Sequence, residues 1–87
     1  MFKAKIYVNY KPSVLDPQAE AVKTALSRMG HDNVTHVLYG KYFELTLTST
    51  DKASAQAEVE TICDRLLANV NMETYRFTLV PVPVGVD

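Results

Sequence analysis

Residues 10–18 read Tyr10-Lys11-Pro12-Ser13-Val14-Leu15-Asp16-Pro17-Gln18, and this stretch predicts where a first strand ends and a first helix begins. Pro12 cannot donate a backbone hydrogen bond to a sheet, and it disfavours a helical conformation at Lys11. Asp16 can accept backbone N–H bonds as a helix N-cap, and Pro17 at the first helical position removes no donor that the helix needs. We therefore predict a strand up to Tyr10 and a helix from Pro17.

We call residues 10–18 the joint. The hydrophobic periods on either side of it agree with that prediction. Before it, apolar and polar residues alternate as in a half-buried strand, with one face formed by Phe2, Ala4, Ile6, Val8 and Tyr10. After it, the helix is predicted to run to about residue 29 and to end at Gly30 in a left-handed conformation. Its apolar stripe consists of Val22, Ala25, Leu26 and Met29.

The second half of the chain predicts a hairpin, a helix and a last strand. Two β-rich runs, residues 34–39 and 42–48, flank Gly40-Lys41, which favours a tight turn with Gly40 at positive φ. The first of these runs has the less decisive alternation. Residues 49–51 offer N-caps for a helix to about residue 69, with Cys63 and Leu66 in its apolar stripe. A strand over 73–80 and an extended, proline-containing tail over 81–87 complete the chain.

The predicted order is β-α-β-β-α-β, which is typical of an α+β, ferredoxin-like sandwich. We expect one domain over residues 1–87, with a four-stranded antiparallel sheet and both helices on one face. Right-handed crossovers place the first and third strands in the middle of that sheet. A core of this size is small, so stabilisation by a partner surface is expected.

Composition excludes several classes of protein. Nine basic and ten acidic side chains give a formal net charge of -1, so we predict neither a nucleic-acid nor a membrane partner. Cys63 is the single cysteine, which excludes an internal disulfide. The amino-terminal residues run directly into the first strand pattern and resemble neither a signal peptide nor a membrane span. The expected location is cytoplasmic.

No group of residues predicts catalysis. Cys63 lies in an apolar stripe, where a cysteine is usually an inert part of the core. His31 and His36 have no acidic or cysteine companion at metal-ligand spacing. The three glycines are scattered and form no phosphate-binding loop. We predict no catalytic residue, no bound cofactor and no metal site in this chain.

The predicted sheet face opposite the helices is the stronger candidate for function. No predicted helix covers it, and it carries Tyr7, Tyr42, Glu44 and Arg76. Aromatic side chains on such a face can stack on RNA bases or anchor another protein. The near-neutral charge and the acidic Glu44 favour the protein interface over RNA.

The order and spacing of Lys11, residues 14–18, Gly40-Lys41 and Glu73 resemble those of the PurS family, the small subunit of phosphoribosylformylglycinamidine synthase. The resemblance begins with Lys11 and residues 14–18 and extends to the last strand. It continues through Ala21-Val22, Ala25-Leu26, Gly30, Val34, Val37, Gly40-Lys41, Glu44-Leu45, Cys63, residues 66–69, Glu73 and Tyr75. The chain departs from the family pattern at Ala19, where glycine is usual, at Leu38, where arginine is common, and at Val70, where proline is common.

This resemblance implies a non-catalytic subunit of a purine-biosynthesis ligase. In such a complex a synthetase (PurL-type) subunit and a glutaminase (PurQ-type) subunit convert formylglycinamide ribonucleotide to formylglycinamidine ribonucleotide. Glutamine supplies the ammonia, and ATP with magnesium is expected in the synthetase partner. The small subunit is expected to form a homodimer or higher homo-oligomer, to bridge the other two and to support ammonia transfer.

The resemblance and the exposure of the joint together suggest partner contacts at Lys11, Asp16, Gln18 and Lys41. These residues are charged or polar and are carried by rigid elements. Asp16 also has a purely structural explanation as a helix cap. The alternative from another class is a free-standing ferredoxin-like domain that senses an amino acid or a nucleotide.

Overall fold

Three strands and two helices make up the fold, with a π-helical turn after the second helix. The computed structural model describes residues 1–83, so positions 84–87 of the predicted extended tail lie outside the described residues. The elements are β1 (Phe2–Tyr10), α1 (Pro17–Arg28), β2 (Gly40–Leu47), α2 (Lys52–Ile62), the π-helical turn (Cys63–Leu67) and β3 (Glu73–Pro81). The α+β class, the two helices and the boundaries of β1 are confirmed.

The sheet has three antiparallel strands in the order β2-β1-β3, and the prediction of four strands is wrong for the described chain. β1 lies in the middle, and its alternate residues Ala4, Ile6 and Val8 are fully buried. β2 forms one edge, so the prediction that the third strand would be central is also wrong. Tyr7 faces Tyr42 of β2 on one side and Arg76 of β3 on the other.

The fourth strand is missing because the predicted hairpin around Gly40-Lys41 does not form. Residues 34–39 have no regular structure, and no turn or bend separates them from β2, which begins at Gly40 itself. Within residues 1–83 only Gly30 has positive φ. A Cβ at Gly40 would collide with the Asn9 side chain and the Val8 carbonyl oxygen. Glycine is therefore required here for close approach between strands and not for a turn.

The core lies between the sheet and α2. Ala55, Val59 and Cys63 pack against the buried residues of β1, and all three are fully buried. Asp51 starts α2, because its carboxylate accepts the Ser54 backbone N–H at 3.0 Å. Cys63 is inside the core, as predicted.

α2 ends earlier than the sequence predicts. It stops at Ile62, and the next turn is π-helical, with the Ala68 N–H donating to the Cys63 carbonyl at 3.0 Å. The wider turn accommodates one extra residue per turn and shifts the side chains that follow out of the α-helical stripe. Leu66, predicted to face the core, is 78% exposed.

α1 forms as predicted at both ends but contributes no residue to the core cluster. Asp16 caps its start, and Gly30 follows its end with φ of +90°. Ala19 is its single buried residue, while Val22 and Met29 are 41% and 69% exposed. Among the described residues, α2 alone covers the sheet. Neither helix in this part of the chain is long and apolar enough to cross a bilayer.

Candidate functional site

The four residues predicted to contact a partner lie around two adjoining grooves. The first groove has a volume of about 380 Å³ and is lined by residues 10–16, by the start of α1 and by residues 36–39. Lys11 and Asp16 belong to it. The second groove, of about 440 Å³, brings Asp16 and Gln18 beside Gly40 and Lys41. The structure therefore gathers all four candidates at one end of the sheet.

Asp16 lines both grooves and, as the N-cap of α1, fixes the backbone conformation at the end of the joint. One of its carboxylate oxygens accepts the backbone N–H groups of Gln18 at 3.0 Å and Ala19 at 3.4 Å. The Lys11 N–H donates to the Met72 carbonyl at 2.9 Å, and the Lys11 carbonyl accepts the Val14 N–H at 2.9 Å. The backbone of the joint is thus bonded to the turn before β3 and to the start of α1, which fixes the positions of its side chains.

Lys41 is held by the fold itself. Its Nζ donates to the Leu67 carbonyl at 3.2 Å and forms an ion pair with Glu73 Oε2 at 3.4 Å. The Glu73 side chain is 11% exposed and that of Lys41 is 49% exposed. Lys41 therefore joins the start of β2 to the end of the π-helical turn and to the start of β3, while half of its side chain remains accessible.

Glu73 and Asn69 are the residues of this site that sequence reasoning missed. Glu73 Oε1 accepts the Asn69 N–H at 2.8 Å, and the Glu73 N–H donates to the Asn69 carbonyl. Both residues belong to the family resemblance, which was a signal of their importance. The ion pair between Glu73 and Lys41, however, joins positions far apart in sequence. Only the register of β2 and β3 on β1 brings these groups together.

The open face of the sheet carries the second set of candidates, and the structure brings all four together. The Tyr7 and Tyr42 rings have centroids 4.9 Å apart, and the Arg76 guanidinium lies 4.6 Å from the Tyr7 ring centroid. Tyr42 donates its hydroxyl proton to Glu44 Oε2 at 2.8 Å. Lys3 Nζ lies 3.7 Å from Glu44 Oε1. A row of contacting side chains thus crosses all three strands.

This row alters the acidity of two of its members. The hydrogen bond to Glu44 raises the pKa of Tyr42 to about 12. The same bond, with smaller contributions from Lys3 and Lys5, holds the pKa of Glu44 below its usual value. Both side chains are therefore held in one protonation state near neutral pH, and the row is a fixed pattern of a cation, two rings and an anion.

The groups with potential for covalent chemistry are placed for structure. Cys63 is fully buried, and that burial raises the pKa of its thiol. Tyr75 donates its hydroxyl proton to Asp64 at 2.9 Å, and burial together with this bond raises its pKa to about 12. Within residues 1–83 no group of three or more histidine, cysteine or acidic side chains has the geometry to hold a metal ion. What the described site offers is two surfaces for contact.

Comparison with known proteins identifies the family of this chain. Residues 3–81 match the family model PurS, described as phosphoribosylformylglycinamidine (FGAM) synthase. The chain belongs to the PurS family. Its function as the small subunit of phosphoribosylformylglycinamidine synthase in purine biosynthesis, which the resemblance implied, is thereby confirmed.

Individual relatives cover nearly the whole chain. The PurS subunit of the synthase from Synechocystis sp. is 46% identical over 78 residues, which are 90% of this chain and 78% of that protein. A structure of PurS from Bacillus subtilis has a TM-score of 0.85 at 43% identity, covering 93% of this chain and all of the other. A chain in the structure of PurLQS from Thermotoga maritima has a TM-score of 0.82 at 29% identity, covering 91% and 96%.

Proposed function

We propose that this chain is a non-catalytic subunit that holds a synthetase subunit and a glutaminase subunit in a fixed relative position. The observation that carries this proposal is the likeness to a chain of the PurLQS structure from Thermotoga maritima. Two well-defined contact surfaces at different places on one small sheet support a bridging role. ATP and magnesium are expected to bind the synthetase partner, and the complex is expected to work in the cytoplasm.

Positioning matters for this reaction because ammonia released from glutamine must reach a second active site. Ammonia that escapes into water is protonated and lost as a nucleophile, since an ammonium ion has no free electron pair. A subunit that keeps the two sites in register therefore raises the coupled rate without contributing a reacting group. The amidation itself, with ATP activating the amide oxygen, takes place in the synthetase partner.

The two surfaces have separate expected partners. Lys11, Asp16, Gln18 and Lys41 are proposed to contact the synthetase subunit, because their side chains surround grooves on a rigid frame. The row formed by Tyr7, Tyr42, Glu44 and Arg76 is proposed as a face for a second copy or for another subunit. Tyrosine and arginine are favoured at the centres of protein interfaces. The chain is also expected to form a homodimer or a higher homo-oligomer.

The decisive experiment measures formation of formylglycinamidine ribonucleotide by purified synthetase and glutaminase subunits from the same source, with and without this chain. The proposal predicts that glutamine-dependent synthesis requires the chain, whereas synthesis driven by free ammonia does not. Equal glutamine-dependent rates with and without the chain, from subunits that are active with ammonia, would overturn the bridging role. The sensor alternative would then be tested by thermal stability with glutamine, ATP and purine nucleotides.

The contact residues are tested by binding to the synthetase subunit. Replacing Lys11 and Lys41 together by alanine should weaken binding by about tenfold or more, which corresponds to loss of about 1.4 kcal/mol. Lys52→Ala, which removes an exposed lysine at the start of α2, is the matched control. Glu73→Gln separates the two roles of Lys41, because it breaks the ion pair but leaves the amine. Unchanged binding in the double variant would remove these lysines from the interface.

A further inference from the structure

Charged side chains are divided unevenly between the two sides of the sheet. The outward residues of the three strands include Lys3, Lys5 and Arg76, but a single acidic residue, Glu44. Residues 51–67, which form α2 and the π-helical turn on the other side, include four acidic and two basic side chains. The formal net charge of -1 therefore conceals a cationic open face and an anionic helical side.

The single anion of the open face is compensated by its neighbours. Glu44 accepts the Tyr42 hydroxyl proton at 2.8 Å, and its other oxygen lies 3.7 Å from Lys3 Nζ. Within residues 1–83, neither Lys5 nor Arg76 forms an ion pair. The uncompensated positive charge of this face is thus concentrated at Lys5 and Arg76.

Lys5 and Arg76 are diagonal neighbours on paired strands. Arg76 is opposite Tyr7 in the register of β1 and β3, and Thr78 is opposite Lys5. The Arg76 guanidinium lies 4.6 Å from the centroid of the Tyr7 ring. A guanidinium held over a ring keeps the N–H groups at its edge available, in the planar fork that binds a carboxylate through two parallel hydrogen bonds. Arg76 is therefore positioned before any carboxylate arrives, with a second cation and a hydroxyl group on the same face.

We propose that the open face binds an acidic segment of a partner subunit, whose carboxylates pair with Arg76 and Lys5. This proposal specifies the partner of the open face in the proposed function and rests on that function. The rings of Tyr7 and Tyr42 add apolar contact area beside the ion pairs, and exclusion of water there strengthens the attraction. Glu44 repels a carboxylate on the β2 side, so the acidic segment is directed to the β3 side of the face.

An acidic protein segment fits this face better than three other occupants do. Two copies placed face to face would bring two cationic surfaces together, and like charges across an interface are unfavourable. RNA phosphates would be repelled by Glu44, and the Tyr7 ring is flanked by Tyr42 and Arg76 where a base would stack. Small-molecule sites are normally concave, whereas Lys5, Tyr7 and Arg76 line neither of the two grooves.

Carbodiimide cross-linking tests the contact directly. The reagent joins an amine to a neighbouring carboxylate, and mass spectrometry locates the bond. In a complex of the natural chain with purified synthetase and glutaminase subunits, Lys5 should be joined to an aspartate or glutamate of one of those subunits. Lys3 and Glu44, 3.7 Å apart, provide a positive control on the same face. If the control bond forms but Lys5 is joined to neither subunit, or only to a second copy of the chain, the proposal is overturned.

Two matched double variants measure how much the cations contribute to binding. Lys5→Gln with Arg76→Gln removes them from the open face, and Lys52→Gln with Arg65→Gln removes the same residue types from exposed positions on the α2 side. Both variants change the net charge equally, so a general attraction to the partners is lowered equally. The first should weaken binding to the two subunits about tenfold or more at low salt, and less at high salt. The second should weaken it less than about twofold. Equal affinities of the two variants would contradict the proposal.

Single substitutions separate the shape of the guanidinium from its charge. Arg76→Lys keeps the positive charge but loses the planar fork, so it should bind about threefold more weakly or worse. Tyr7→Phe keeps the ring beside Arg76 and should bind as the natural chain does. If Arg76→Lys also binds as the natural chain does, the pairing of Arg76 with a carboxylate is wrong.

The outcomes separate this proposal from the proposed function. If glutamine-dependent synthesis requires the chain, but the Lys5 and Arg76 double variant supports it with natural affinity, bridging stands and the acidic partner is wrong. If synthesis does not require the chain, bridging fails, while the cross-link from Lys5 still decides the partner of the face. Retention of the chain on polyuridylate at about 0.15 M salt, lost in the same double variant, would assign the face to RNA and overturn the proposal.

Discussion

α1 and α2 are two helices of similar design that have different surroundings. Each begins at an aspartate whose carboxylate accepts a backbone N–H of its first turn. Each has an apolar stripe, yet α2 buries Ala55 and Val59 in the core while α1 buries Ala19 alone. A sequence pattern therefore specifies that a helix forms and which face is apolar, but not whether that face is buried. The predictions below test this contrast.

The largest effect is expected from a cavity in the core of the sheet. Ile6→Ala should lower the free energy of unfolding by about 2–5 kcal/mol, because Ile6 is fully buried between the sheet and α2. Val22→Ala on α1 is a truncation at a partly exposed position and should cost less than about 1 kcal/mol in the dilute, unassociated chain. Urea denaturation measures both. Equal losses would show that α1 packs in the single chain and would break the contrast.

The next effect concerns two glycines that are needed for different reasons. Gly40→Ala should cost about 1–3 kcal/mol, because the new methyl group collides with Asn9 and the Val8 carbonyl. Gly30 has open space around it and φ of +90°, so Gly30→Ala meets only backbone strain of about 1–2 kcal/mol.

Asparagine distinguishes the two cases, since it tolerates the left-handed region but adds bulk. In thermal denaturation Gly30→Asn should therefore be milder than Gly30→Ala, and Gly40→Asn should be worse than Gly40→Ala. The reverse order at position 40 would contradict the close approach of β1 and β2.

The helix caps give smaller and more local effects. Asp51→Ala and Asp16→Ala should each cost about 1 kcal/mol of helix stability, because each removes an acceptor for N–H groups of the first turn. For Asp51 the loss should appear in global unfolding, since α2 is part of the core. For Asp16 it should appear as faster hydrogen exchange in α1 with little change in β1. A global loss from both would show that α1 and the core unfold as one unit.

The smallest effect belongs to the open face of the sheet. The pKa of Glu44 is lowered in the folded chain, so its bond to Tyr42 stabilises above the ordinary carboxyl value and is lost as pH falls through the folded pKa. The pKa of Tyr42 is raised, so stability is lost as pH rises from 10 toward about 12. Tyr42→Phe should move the Glu44 pKa back up, as measured by carboxyl carbon shifts in NMR. An unchanged Glu44 pKa would exclude the hydrogen bond in solution.

The parts of the fold that sequence predicts are those with a local physical cause. The joint from Tyr10 to Pro17 depends on proline and on a capping aspartate within a few residues, and it forms as expected. The strand alternation of β1 is equally local. Gly30 closes α1 for the same kind of reason. Residues close in sequence determine these features, so a single sequence is sufficient to predict them.

The parts that sequence does not predict depend on contacts between distant residues. The pair Gly40-Lys41 has turn composition, but Gly40 lies against Asn9 and Lys41 bonds to Glu73. Both contacts form only when the three strands pair. The π-helical turn has no local signature, so helical periodicity predicts Leu66 in the core although this residue is exposed.

The candidates at the joint and on the open face gather into two clusters because strand alternation places residues on faces correctly, even when the number of strands is wrong. Their roles in partner contact stay predictions, which the binding and activity experiments address.

Hydrogen exchange along the chain tests the central contrast most directly. The free chain would be compared at high dilution and at a concentration where it self-associates, with protection measured for α1, residues 34–39 and β1. We predict that β1 is protected in both samples, whereas α1 and residues 34–39 are weakly protected at high dilution. Strong protection of α1 at high dilution, equal to that of α2, would contradict the contrast between α2 in the core and α1 outside it.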